Sequence, residues 1–239
     1  MKKIFLLIAL LAVLAIGGIV MAQGVNVPDK AIDNSPALER VIFIHYKKDF
    51  TKPDNPGKTS GGTSCFGFLS KGAKLKAVED LVIHPDLNLP AVLNSVQEWD
   101  ANTSTTLFGN YTVDATANWD SATPDGRNEF SFGNYSQSGV IAVTVAWGNF
   151  SGPISSRSIS EFDIMFNTDY SWGDAETNPA LMDIQNIATH EIGHGVGLAD
   201  IYQTACFQVT MYGYSDYGET DKRTLQAPDI KGLQALYGN

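Results

Sequence analysis

Apolar positions recur along the chain with two periods, and these mark out the elements. Arg40-Val41-Ile42-Phe43-Ile44-His45-Tyr46 is rich in β-branched and aromatic residues with charge on either side, which predicts a strand. Leu81–His84 predicts a second, stopped by Pro85. After Pro90, Val92, Val96 and Trp99 fall at helical spacing, so a helix is expected over residues 91–99. Short strands follow around Thr106–Phe108, Glu129–Phe132 and Gly139–Trp147, then Ile159–Asn167 with Phe162, Ile164 and Phe166 on one face. Ile184, Ile187, Ala188 and Ile192 give a helix from Asp183 to about Val196. Pro228 opens a last short helix, with Ile230, Leu233 and Leu236 or Tyr237 inward and Gly238 at its end. Residues 23–37 read as irregular, and residues 49–62 and 170–179 as loops. The order predicts an α+β fold, a twisted mixed sheet with covering helices.

The first residues stand outside that domain. Lys2 and Lys3 precede an apolar run from Ile4 to Val20, and Val20-Met21-Ala22 suits signal peptidase, so residues 1–22 are expected to be removed before Gln23. An uncleaved anchor is the alternative. Removing Lys2 and Lys3 takes the formal charge from −10 to −12. Such acidity disfavours nucleic acid and anionic lipid as partners. At 239 residues and 44% hydrophobic content, the chain has enough apolar material for one domain plus an extension. In an oxidising compartment Cys65 and Cys206 are expected to pair; two buried thiols, or a latency thiolate at Cys65, are the alternatives. Asn-x-Ser/Thr triplets begin at Asn102, Asn110, Asn134 and Asn149 and are candidates for glycosylation.

The chemistry concentrates in HEIGHGVGLAD, residues 190–200. His190 and His194 are one helical turn apart and project from one face, where they can share a metal ion. Glu191 points roughly 100° around the helix, beside a water on that metal rather than in its coordination sphere. Ile187, Ala188, Ile192, Val196 and Leu198 surround these groups with apolar residues, a costly setting for charge without a task. A catalytic zinc takes three protein ligands, and no histidine follows His194 among the four in the chain. Gly195 and Gly197 allow the helix to end and reverse, which would return Asp200 to the metal. Asp200 is therefore the expected third ligand, with a turn cap as its other reading.

HExxHxxGxxD resembles the metzincin protease signature in its snapalysin-like form with a terminal Asp, while the surrounding chain is similar to matrixins from about Ala73 to Asn239. Ile159–Asn167 followed by Trp172 resembles the matrixin strand before the zinc helix. Thr210-Met211-Tyr212-Gly213 resembles the Met-turn, and Asp229–Gly238 the closing helix. The resemblance implies a metzincin-like catalytic domain over residues 73–239 with an active-site helix, a backing helix and a C-terminal helix. Residues 23–72 would be an N-terminal extension with an extra strand.

It further implies a secreted, extracellular, monomeric zinc endopeptidase acting on polypeptides, with a zinc-activated water and Glu191 as general base. Met211 would form a floor beneath the metal. Gly139–Trp147 would be an edge strand receiving substrate, with Val140, Ile141, Ala142 and Val143 along it and Tyr212 and Tyr214 near the pocket. A non-catalytic polypeptide-binding module of the same fold is the alternative. Departures narrow the expectation: the animal prodomain cysteine motif is absent, and residues 132–139 are too few for a structural zinc and calcium loop. One zinc only is expected; loop 114–125, with its Asp residues, is a candidate for calcium, and residues 40–46 have no clear counterpart in the family pattern.

Overall fold

The computed structural model describes residues 38–50 and 64–239. The signal peptide, the lead over residues 23–37 and most of the loop over residues 49–62 lie outside the described residues. Ten strands are found among them: β1 (Glu39–Lys47), β2 (Lys74–Leu75), β3 (Glu79–Ile83), β4 (Phe108–Val113), β5 (Asn128–Gly133), β6 (Val140–Asn149), β7 (Ser158–Asn167), β8 (Trp172–Gly173), β9 (Met182–Asp183) and β10 (Tyr214–Ser215). Three α-helices accompany them: α1 (Leu89–Asp100), α2 (Ile184–Gly195) and α3 (Ala227–Tyr237). The main sheet runs β10-β1-β6-β7-β5-β3-β4, with β2 against β7; β8 and β9 form a separate pair. β6 is antiparallel to both β1 and β7, whereas β7, β5, β3 and β4 run parallel, so this is the mixed sheet of an α+β fold.

β6 is buried on both faces. Ile141, Ala142 and Ala146 join the main core beneath α2, while Val140, Val143, Val145 and Trp147 build a smaller core on the other side with Tyr46 and Met165. The small residues of β6 let α2 pack close to the sheet. α1 backs α2, and Trp99 Nε1 donates to Thr189 O at 2.8 Å. α1 starts where Asn88 accepts from Ala91 N, and α2 where Asp183 accepts from Asn186 N.

Differences from expectation have local causes. The strand expected at Thr106–Phe108 is instead β4, because Gly109 and Asn110 look like turn residues yet continue an exposed edge. β8 interrupts the expected loop over residues 170–179 and β9 follows it; each has only two residues, too few for a periodic signal. β1, for which no family counterpart was expected, is an interior strand that pairs with β6 along almost its whole length.

Candidate metal centre and active-site cleft

α2 ends as its glycines suggest. Gly197 is left-handed, at φ 101°, its N–H bonds to His194 O and the Leu198 N–H reaches Gly193 O at 2.8 Å. This paired closure reverses the chain within one turn. It brings Asp200 Oδ1 to 3.3 Å from His190 Nε2 and 3.4 Å from His194 Nε2.

The other ring nitrogens are already committed. His190 Nδ1 lies 2.7 Å from Thr210 O and His194 Nδ1 lies 3.0 Å from Leu198 O. A carbonyl only accepts, so each Nδ1 carries the proton and each Nε2 presents a lone pair. Yet His190 Nε2, His194 Nε2 and Asp200 Oδ1 are buried without a hydrogen-bond partner. Three electron-rich atoms facing one another are costly to leave buried, and a cation among them removes that cost. Ligands about 2.0–2.1 Å from a tetrahedral zinc stand roughly 3.3 Å apart, so this donor set fits zinc.

Glu191 is fully buried beside that centre. Its Oε2 accepts from Thr144 Oγ1 at 2.6 Å and its Oε1 lies 3.1 Å from His45 Nδ1. Burial raises its carboxyl to about 7. Met211 lies under α2, where its thioether packs against Gly193. Asp229 fixes this turn by accepting from Thr210 N and Met211 N, at 2.9 and 3.2 Å.

β1 closes the front of the site. The Phe43 ring stacks on His194 with centroids 3.9 Å apart, and the His45 ring lies 3.9 Å from that of His190. Behind His45 is Lys222, whose Nζ is 3.3 Å from His45 Nε2 and donates to Tyr212 O, Tyr214 O and Ser215 Oγ. Desolvation pulls Lys222 down to about 7.

The matrixin family model matches residues 106–238, more than half of the chain. The chain belongs to the matrixin family. It is similar to Matrix metalloproteinase-16 of Homo sapiens and of Rattus norvegicus, 32% identical over 76 residues in each case. That match spans 32% of this chain and 12% of either relative.

In this matrixin the expected edge strand is not an edge. Val140, Ile141, Ala142 and Val143 lie on β6, which is hydrogen-bonded to β7 on one side and β1 on the other. β1 satisfies the backbone groups that an open edge would offer to another chain. Tyr212 and Tyr214 are half-buried at the far side of β1, rings 5.7 Å apart, and β10 continues the sheet there. Cys65 and Cys206 are disulfide-bonded, which leaves no Cys65 thiolate to reach the metal centre. At the loop over residues 114–125, Asp120 and Asp125 converge with Glu129, where Arg127 Nη1 stands 2.9 Å from Glu129 Oε1.

Thr144 and Lys222 were not visible from the motif. Thr144 carries one clue, a hydroxyl in an otherwise apolar strand. Lys222, in Thr220-Asp221-Lys222-Arg223-Thr224, has the sequence of a solvated turn and gives none.

Proposed function

We propose that this matrixin is a zinc-dependent endopeptidase in which His190, His194 and Asp200 hold the metal and Glu191 is the general base. The observation that carries this reading is the convergence of three unpartnered, buried donor atoms beside a buried carboxylate. Zinc bound there supplies Lewis acidity, polarising a peptide carbonyl and acidifying an attacking water. The chain's residues do the rest. Thr210 O and Leu198 O fix the tautomers of the two imidazoles, which keeps both Nε2 lone pairs on the metal side. Thr144 anchors Glu191 through Oε2, and Oε1, which His45 Nδ1 meets at 3.1 Å, is the oxygen that would take a proton from water and pass it to the leaving amine. Met211 packs beneath α2 and keeps its ligand face in place.

Two imidazoles and a carboxylate also suit non-haem iron. Family membership and the adjoining base favour zinc and hydrolysis. Glu191 also argues against a non-catalytic binding module, which has no use for a buried base. Calcium, if bound, would sit at Asp120, Asp125 and Glu129, where Arg127 competes as an internal cation.

The proposal includes secretion as a monomer after removal of residues 1–22. The basic-then-apolar start supports export, and the Cys65–Cys206 bond suits an oxidising compartment. Among the described residues no helix is long and apolar enough to cross a membrane.

Casein cleavage tests the reaction. Zinc-loaded protein should release peptides and Glu191→Ala should not, at equal zinc content. Zinc bound with no cleavage by any preparation, the strand-released one below included, would contradict the proposal.

A further inference from the structure

β1 does more than complete a sheet. It lies between β6, to which it is antiparallel, and β10, to which it is parallel, and so runs through the cleft in front of the metal centre. Register divides its side chains. Val41, Phe43 and His45 stand opposite Ala146, Thr144 and Ala142, residues on the α2 side of β6; two of these β1 rings cover the metal-centre histidines. Ile44 and Tyr46 join the small core on the opposite face. A bulge between His45 and Tyr46 marks the place where the strand passes Glu191.

Both ends of the strand are held. Glu39 accepts from Phe150 N and Ser151 N at 3.2 and 3.0 Å, Lys47 pairs with Asp216 at 3.1 Å, and Lys48 pairs with Glu219. Backbone pairing on two sides, side chains seated on alternate faces and charges matched at the C-terminal end are how a cleft holds an extended peptide. One contact of β1 falls on the base itself: His45 Nδ1 lies 3.1 Å from Glu191 Oε1, the oxygen that would otherwise meet the water. Lys222 stands behind His45 Nε2, so His45 turns its Nδ1–H toward Glu191.

We infer that Glu39–Lys47 is an internal ligand of the peptide-binding cleft, seated where an extended substrate strand would lie, and that its departure limits cleavage. This rests on the endopeptidase reading above. Substrates displace β1 and bind in its place: extended segments with bulky apolar or aromatic residues and a basic residue toward the C-terminal end, facing Asp216 and Glu219. The device is strand substitution with a histidine on the base, and it needs no cysteine.

The test uses the full chain with a recognition sequence for a site-specific protease inserted after Gly61, loaded with zinc. Cutting frees β1 from the high effective concentration that tethering gives it. A quenched fluorescent peptide should then be cleaved with kcat/KM raised roughly 100-fold. The synthetic peptide ERVIFIHYK should reverse the gain by raising KM at constant kcat, and a scrambled peptide should not. Equal cleavage before and after cutting would overturn the inference and leave the peptidase reading standing. If neither form cleaves, the peptidase reading fails by itself, and fluorescence anisotropy of labelled ERVIFIHYK decides the inference. Binding to the cut form alone supports it, and binding to neither overturns it. Should cutting unfold the protein by circular dichroism, the uncut double variant Phe43→Gly, His45→Gly replaces it. That variant should bind the labelled peptide at least about tenfold more tightly than the uncut parent, and no gain would overturn the inference.

Discussion

Gly193 lies between the two histidines, and its missing side chain lets Met211 rest against α2. A Cβ there would collide with the Met211 thioether and approach Trp99 Cζ2 at 2.9 Å. Gly193→Ala should therefore cost about 1–3 kcal/mol, measured by urea denaturation, through overpacking at a turn that Asp229 holds rigid. Lys222 acts at the other wall of the cleft. Its ammonium ties together the carbonyls of Tyr212 and Tyr214 and the Ser215 hydroxyl, so it braces β10 without touching the metal-centre residues. Lys222→Met should leave zinc content unchanged and lower kcat/KM of the strand-released enzyme about tenfold, mostly through KM, as an unbraced wall binds peptide less well. An equal loss of zinc would show instead that Lys222 supports the metal centre.

The Cys65–Cys206 bond joins the segment before β2 to the loop between Asp200 and Met211, closing a separation of 141 residues. Replacing both cysteines with alanine should cost roughly 2–5 kcal/mol, read as a lower urea midpoint. Elements with strong periods were legible in the sequence: α1, α2, α3, β6 and β7 each announce themselves by apolar spacing, and Gly197 announces the reversal after α2. The convergence of the candidate-site residues was legible for the same reason, since His190, Glu191, His194 and Asp200 lie within eleven residues of one helix and its exit turn. The placement of β1 was not. Its residues read correctly as a strand, but pairing partners are set by contacts far apart in the chain, and nothing in Arg40–Tyr46 says that His45 lies over Glu191. β8, β9 and β10 are too short to carry a pattern, and β4 is disguised by its glycine and asparagine.

Across the whole molecule, acidic groups are gathered behind the sheet as well as at the metal centre. Asp163, with Glu161 and Glu129 nearby, is raised from 3.8 to about 8, first by burial and then by the charge of Glu161. The folded state thus binds this proton more tightly than the unfolded chain does. The stability it contributes is full below about pH 3.8 and is lost as pH rises through about 8. The urea midpoint should fall between about pH 6 and pH 9, and the fall should be shallower in Asp163→Asn. An identical fall in that variant would assign the slope to other groups. Zinc stoichiometry after dialysis against a weak chelator reads the proposed ligand set itself. The parent should retain one zinc per chain, as should Glu191→Ala, while His190→Ala, His194→Ala and Asp200→Ala should each retain far less. An Asp200→Ala variant that keeps a full zinc would contradict the proposed ligand set.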